Sequence, residues 1–370
     1  RTRRRSWNVR RVQIGRVSRR GRVESPGALT PAAPKIVLDA RLTRQLSVGM
    51  KTYVRELTNR LPAVAPQYEY VSFDRGGNFG WDEQLRLPAA IVRSHARLVH
   101  YMSLYVPLIS PAPSVVTIHD LIHLRFPEYF KSKVGPYYRT VVRYACSRAR
   151  RVITDDEKTV DDLVHFLDVD PVKIRVVPLG VDDRFFEGSP PHVASAPYLL
   201  YVGNHRPHKN LQTLFDAWSG LSHDLAVDLY VTGPDDFDGE LERRRTTVRK
   251  IVALGDVTVE SLGSYYAGAL ALVQPALREG FGLPVLEAMA SGCAVVASEG
   301  ALPRVLADAA MTFESTNADQ LRGSLERVML EPELRARYVR AGRAAAAMLT
   351  WDRCALATAA VYAEALEGPC

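Results

Sequence analysis

Short runs of β-branched and aromatic residues alternate with longer amphipathic stretches along almost the whole chain, and this alternation narrows the available folds more than any other feature. The first run is KIVLDA at 35–40, followed by VGMKTYVRELTNRL at 48–61, where Tyr53, Val54, Leu57 and Leu61 keep a helical period. YEYVSF, RLVHY, SVVTIHD, RRVITDD and KIRVVPLGVD continue the first series. A second series runs through APYLLYVGN, AVDLYVTG, ALALVQPAL, CAVVAS and AAMTFE. Parallel strands require crossovers of a dozen or more residues, usually helical, so the pattern predicts strand–helix–strand units and parallel sheets.

At 370 residues the chain exceeds one ordinary core and predicts two domains. The Pro- and Ser-rich stretch DRFFEGSPPHVASAP, 183–197, is the best linker between the two series. The expected class is α/β, with two Rossmann-like domains across a cleft, at 35–186 and 187–350. In such sheets ligands sit at the carboxyl ends of the strands. Residues 351–370, within LTWDRCALATAAVYAEAL and beyond, read as a final amphipathic helix.

The net charge of +7 is unevenly placed. Residues 1–34 carry ten arginines against the single acid Glu24, which leaves 38 basic and 40 acidic side chains in the remaining 336. The body is therefore not basic, and no nucleic-acid partner is expected. The arginine-rich lead has little apolar periodicity and reads as a disordered tail, 1–34. Cys146, Cys293, Cys354 and Cys370 show neither CxxC nor ligand-like spacing, so neither disulfides nor a zinc site is expected. No run approaches the roughly 20 apolar residues of a membrane span, so a soluble, cytoplasmic chain is expected.

The stretch REGFGLPVLEAMASGCAVVAS, 278–298, concentrates the chemistry. ALALVQPAL precedes it as a strand, Arg278 to Pro284 forms the turn, and VLEAMAS forms a helix with Pro284 in its first turn. Gly292 is the expected C-cap, before the strand CAVVAS. Gly280 and Gly282 let backbone N–H groups come close to a ligand, and a helix start favours an anion. Glu279 and Glu287 would repel that anion, so their role is to accept hydrogen bonds from hydroxyls. A diphosphate joined to several hydroxyls describes a nucleotide sugar.

This strand, followed by E-G-F-G-L-P-x-x-E-A-M-A-x-G, resembles the E-x7-E signature of retaining glycosyltransferases with the GT-B fold, family 4 especially. YVGNHRPHKNLQTLFDAW at 201–218 is similar to the family's phosphate-binding strand–loop–helix. VVTIHDLIHLRFPEYF resembles its "HD" segment, and KIRVVPLGVD its interdomain passage. These pieces fall in the family's order over about 35–360. The resemblance implies that Glu279 faces the transferred sugar and Glu287 holds the ribose. It places the amides of Phe281, Gly282 and Leu283 on the diphosphate, with Lys209 neutralising that group beside Gly203, and Arg206 nearby. Asn210 reads as the N-cap of the helix that follows.

In the first domain the resemblance marks Gly49, and Lys51 where family members commonly have a second glycine. It marks His119 as a donor to the sugar. His100, His123, His205 and His208 read as surface or loop residues, and Asp155, Asp156, Asp235 and Asp236 as loop acids rather than metal ligands. The final helix, from Trp351, is expected to cross back to the first domain.

The family implies metal-independent hexosyl transfer with retention from a nucleotide diphosphate sugar, with no resident cofactor. YVGNxxPHKN and the "HD" segment look like its mannosyltransferases, which favours GDP-mannose over UDP-glucose or dTDP-rhamnose. LGDVTVESLGSYYAGA would border the base. A glycan or lipid-linked acceptor, with peripheral membrane association, completes the expectation. A GT-B sugar-nucleotide epimerase and a non-catalytic nucleotide-sugar-binding protein are the alternatives.

Overall fold

The computed structural model describes residues 33–130 and 134–367. Except for its last two residues, the arginine-rich tail lies outside them. The described chain divides into two compact units. One holds the residues up to Leu124, those from 134 to Pro178, and those from Trp351 onward; the other holds Arg125 to 130 and Leu179–Thr350. The division thus falls between Pro178 and Leu179, ahead of the Pro-rich stretch, which belongs wholly to the second unit.

The first unit is built on a six-stranded sheet, β1 (Lys35–Asp39), β2 (Glu69–Phe73), β3 (Leu98–Tyr101), β4 (Ser114–Thr117), β5 (Arg151–Thr154) and β6 (Ile174–Val176). Its order is β2-β1-β3-β4-β5-β6, and every pairing is parallel. Such a sheet is covered on both faces, so its strands read as continuous apolar runs rather than alternating ones. Val37, Val99, Val116, Val152 and Ile174 lie in one core with Leu87, Ile91, Leu163 and Leu167 from the helices. On the helix Val48–Val64 the predicted stripe of Tyr53, Val54, Leu57 and Leu61 is buried.

The second unit repeats the plan with β7 (Tyr198–Tyr201), β8 (Asp228–Val231), β9 (Ile251–Ala253), β10 (Ala271–Gln274), β11 (Val295–Ser298) and β12 (Met311–Phe313). The order β12-β11-β10-β7-β8-β9 is again fully parallel. The chain enters at β7, moves outward to β9, and returns to β10 on the opposite side of β7. That reversal is a topological switch point. Strand β9 was not anticipated from sequence. It is a three-residue edge strand behind the charged segment TTVRK, too short to show a period.

Several sequence expectations need correction. His100 is fully buried in β3, donating or accepting at Tyr362 Oη (2.7 Å) and Thr117 Oγ1 (2.8 Å), and His208 is also buried. Burial, together with the nearby His119, lowers the His100 pKa to about 3, so this ring is neutral. Asn210 does precede its helix, Leu211–Ser219, but sits in the left-handed region (φ 60°) and makes no side-chain cap. Its amide donates instead to the carbonyls of Pro275 (3.0 Å) and Ser315 (2.6 Å). Cys146, Cys293 and Cys354 are buried free thiols; Cys370 lies outside the described residues. Among the described residues no helix is long and apolar enough to cross a membrane.

The last helix, Trp351–Glu367, packs within the first unit against Val48–Val64. Trp351 is 2% exposed beside Tyr53, and Glu364 receives hydrogen bonds from Arg151 (2.9 Å) and Arg175 (2.5 Å). Replacing a buried tryptophan with alanine costs about 3–5 kcal/mol. Trp351→Ala is therefore expected to lower the melting temperature of the first unit. An unchanged thermal transition would mean that the indole does not anchor this helix.

Candidate active site

In the second unit the loops after β7 and β10 leave the sheet at its switch point and are tied together by the backbone. Gln274 Nε2 donates to the Val202 carbonyl (2.6 Å), and Leu277 N–H donates to the His208 carbonyl (2.8 Å). The loop after β10 is also held from β11. Ser298 Oγ donates to the Ala276 carbonyl and accepts from Ala301 N–H (3.0 Å), while Glu279 N–H donates to the Gly300 carbonyl (3.2 Å). At Gly300 a Cβ would stand 2.1 Å from the Leu277 carbonyl, so only glycine allows this approach.

These ties bring Lys209 and Glu279 together. Lys209 ends the short 3-10 turn Pro207–Lys209 after β7. Its Nζ lies 2.5 Å from Glu279 Oε1, with both side chains about 15% exposed. This charge-assisted contact joins an ammonium to a carboxylate beyond the carboxyl ends of β7 and β10.

Three residues further on, Gly282 takes φ 81°, a left-handed conformation that turns the chain into the helix Leu283–Ala290. Pro284 lies in the first turn, as expected. Gly292 follows at φ 78°, just after the C-cap Ser291. The first N–H groups of such a helix have no intrahelical acceptor and point toward the incoming loop, which suits an anion. Phe281 itself is buried, and only its main chain can serve a ligand.

Glu287 occupies a different environment, one turn into that helix. Its Oε2 accepts from Tyr266 Oη at 3.0 Å. Burial raises its pKa to about 7; the Tyr266 hydrogen bond opposes that shift, Asp182 adds to it, and Arg184 opposes it. Tyr266 is fully buried and was missed from sequence; its place eight residues before Gln274, on the helix Val259–Gly268, carries no local signal.

Gly203 and Arg206 share the loop after β7. The Gly203 N–H donates to Thr232 Oγ1 (3.0 Å), and a Cβ there would meet Tyr201 Oη at 2.7 Å. Its glycine thus serves packing within the loop. Arg206 is exposed at the surface of the same loop. His205 is held by Asp236 (2.5 Å) and the Thr232 carbonyl (2.8 Å), so Asp236 is a loop acid that partners a histidine.

In the first unit Gly49 and Lys51 lie in the opening turn of Val48–Val64, where Ser47 caps Met50 N–H at 3.3 Å. His119 follows β4 and is 9% exposed. Its Nδ1 is 2.6 Å from Asp155 Oδ2, and Tyr53 packs edge-on at 4.7 Å. Burial alone would lower the His119 pKa, but the charge and hydrogen bond of Asp155 outweigh it and hold the ring above the ordinary imidazole range. Asp155 therefore departs from its reading as a loop acid. It is 2% exposed, whereas Asp156 caps the helix Glu157–Leu167 by accepting from Lys158 N–H at 2.9 Å. The sequence signal was present in the matched endings TIHD and ITDD of two neighbouring strands.

Among the described residues no group of three or more His, Cys, Asp or Glu side chains is placed to hold a metal ion.

Comparison with known proteins agrees with this geometry. Residues 196–330 match the model described as Glycosyl transferases group 1, and residues 56–185 match Glycosyltransferase Family 4. The chain belongs to glycosyltransferase family 4. It is 26% identical over 265 residues to O-antigen chain mannosyltransferase B of Escherichia coli, covering 67% of this chain and 70% of that protein. It is 27% identical over 230 residues to O-antigen chain mannosyltransferase RfbU of Salmonella typhimurium, covering 60% and 63%. The chain thus matches just under two thirds of the second relative's length. Anabaena HepE in complex with UDP and glucose superimposes with a TM-score of 0.69 at 16% identity, covering 89% of this chain and 99% of that one. At that identity the likeness establishes the GT-B fold of this family 4 member and no more.

Two predictions follow from the packing of the loops and of Glu287. Gly300→Ala must displace the loop bearing Glu279 or distort the turn after β11, and is expected to cost about 1–3 kcal/mol in a melting experiment. Because the native pKa of Glu287 is raised, its contribution to stability is fully present below the ordinary carboxylate range and is lost as pH rises through about 7. Glu287→Gln should flatten that fall in denaturant titrations between about pH 4.5 and 7, and an unaltered slope would place the raised pKa elsewhere.

Proposed function

We propose that this family 4 glycosyltransferase transfers a mannosyl group from GDP-mannose to a hydroxyl of a growing glycan, with retention and without a metal ion. The contact between Lys209 and Glu279 at the switch point carries this reading. An ammonium beside a carboxylate there suits the junction of the diphosphate and the hexose of a nucleotide sugar. The mannosyl preference draws support from the O-antigen mannosyltransferases among the relatives. Those names also favour a glycan acceptor, and the same reading includes a lipid-linked acceptor met by peripheral membrane association.

In the proposed reaction the bond from the anomeric carbon to the diphosphate breaks, and a bond to the acceptor oxygen forms on the same face. The acceptor proton passes to a leaving phosphate oxygen. Lys209, with Arg206 and the amides of Phe281, Gly282 and Leu283, stabilises the charge that builds on the diphosphate. Glu279 accepts from the hexose hydroxyls and gives up its contact with Lys209 as the donor enters. Glu287 holds the ribose, and Gly203, Gly49 and Lys51 line the approach of the phosphates. His119 donates to the hexose. Positioning and charge stabilisation supply the rate, with no side-chain nucleophile.

Thermal-shift measurements against GDP-, UDP- and dTDP-sugars test the donor class. GDP-mannose should raise the melting temperature most; stabilisation by none of them would end the nucleotide-sugar reading. Loss of one preorganised charge-stabilising group costs about 10²–10³ in turnover. Lys209→Ala and Glu279→Ala should each lose transfer by that factor while keeping the wild-type melting temperature within a few degrees. Because a carboxylate accepts hydroxyl hydrogen bonds better than a carboxylic acid, donor affinity should rise as pH passes about 7, and Tyr266→Phe should move that rise to higher pH. Transfer that EDTA abolishes would overturn metal independence.

A further inference from the structure

The pair His119–Asp155 leaves two atoms unaccounted for. Nδ1 of the ring is bonded to Asp155 Oδ2 at 2.6 Å, yet the opposite nitrogen, Nε2, is buried with no hydrogen-bond partner. Asp155 Oδ1 is buried without a partner as well. The Met102 carbonyl lies close enough to favour a charged ring, but makes no bond of ordinary geometry to Nε2. A buried donor left unpaired is destabilising, and more so when it is charged, so such atoms are few in folded proteins and call for a ligand or a function.

The surroundings hold the ring in one pose. Asp155 directly follows β5 and His119 lies two residues past β4, and because Thr117 pairs with Ile153 the carboxylate and the imidazole leave two paired strands side by side. Tyr53 stands edge-on against the ring at 4.7 Å and 85°, with its hydroxyl 3.0 Å from Thr117 Oγ1. Thr159 Oγ1 reaches the His119 carbonyl at 3.5 Å. The titratable groups facing the pair are Asp120 beside the ring, Asp156 beside the carboxylate, His100 on β3, Tyr53, and Cys354 from the last helix. His100 is neutral and Cys354 is kept a thiol by burial, so Asp155 is the buried carboxylate in hydrogen-bond contact with the ring. A histidine whose Nδ1–H is taken by a carboxylate has its tautomer and orientation set, and its far nitrogen aimed.

We propose that Asp155 is a positioning residue for the transfer reaction: it grips Nδ1 of His119 and thereby presents Nε2–H as a hydrogen-bond donor to an oxygen of the hexose being transferred. This rests on the reading of His119 as a sugar-facing residue and extends it to a second side chain. The carboxylate touches no substrate. It keeps the imidazole in place, and the proton stays on the ring through the reaction. The sign of the pH effect follows: Asp155 favours the protonated ring, and the contribution of Nε2–H is lost as pH rises through the raised pKa of His119.

The test compares wild type, Asp155→Asn, His119→Gln and the double variant in two measurements, with the fold of each checked by its melting curve. Asparagine keeps the shape of the side chain but not its charge. Losing the partner that orients a functional histidine lowers activity by about 10- to 100-fold. Asp155→Asn should lower kcat by that factor, leave the KM of the donor within about threefold, and move the alkaline limb of the kcat profile to lower pH. In the His119→Gln background the same change should cost nothing further. In parallel, the nitrogen resonances of the His119 ring, followed by NMR against pH, should titrate at lower pH in Asp155→Asn than in wild type. An unmoved titration, an unmoved pH limb, or an additive loss in the double variant would each overturn the positioning role. Wild type that transfers no sugar while its His119 titration still depends on Asp155 would instead count against the transfer reading itself.

Discussion

The wholly parallel pairing of both sheets is the constraint on which the rest depends. A parallel strand cannot follow its neighbour through a tight turn, so each connection crosses over one face of the sheet. In the second unit the chain starts in the middle at β7, fills one side as far as β9, and then fills the other from β10 to β12. The connections leaving β7 and β10 therefore part to opposite faces, and a crevice opens between them at the carboxyl ends of the strands. Lys209 belongs to one of those connections and Glu279 to the other. Their contact is a product of strand order, not of nearness in sequence.

The crevice is then held in shape mainly by backbone groups. Gln274, Asn210 and Ser298 spend their side chains on carbonyls of adjoining loops, and Gly300 allows one loop to lie directly on another. Loops tied in this way lose little freedom on binding, which favours tight orientation of a small charged ligand. The helix Leu283–Ala290 adds a dipole whose favourable end faces the same space. A chain that arranges main-chain donors, one lysine and one carboxylate around a crevice needs few functional side chains.

How much of this was legible in the sequence depended on whether the signal was local. The strands β1 to β8 and β10 to β12 announced themselves as mainly apolar runs, as parallel strands covered on both faces do, although the edge strand β2 keeps Glu69 and Ser72 exposed. The loop from Arg278 to Pro284 was equally plain, since glycine, proline and the following helix each carry their own local preference. Strand β9 was passed over because its three residues follow directly on the charged TTVRK, whereas the equally short edge strands β6 and β12 stand in longer apolar runs. His100 was misplaced because a buried histidine satisfied by Tyr362 and Thr117 looks, in one sequence, like any other histidine. Asn210 has the composition of an N-cap, but carbonyls from β10 and β12 claimed its amide, and tertiary demands outranked the local preference. Asp155 and Tyr266 were missed for the same reason: each owes its role to a partner tens of residues away.

The two glutamates of the 278–298 stretch show how environment separates identical groups. Glu279 stands against the ammonium of Lys209, so its charge is matched inside the protein before any ligand arrives. Glu287 has a phenol for its hydrogen-bond partner, and burial keeps it a carboxylic acid until pH approaches about 7. A charge-matched carboxylate can exchange its cation for a ligand's hydroxyls without changing protonation. A carboxyl group poised near neutrality changes its capacity to accept hydrogen bonds as it titrates, because the carboxylate is the stronger acceptor. Seven residues of loop and helix thus separate a carboxylate matched by an ammonium from a carboxyl group poised near neutrality. Neither state could be assigned from residue type alone, because both are set by what Lys209 and Tyr266 bring across from β7 and from the helix before β10.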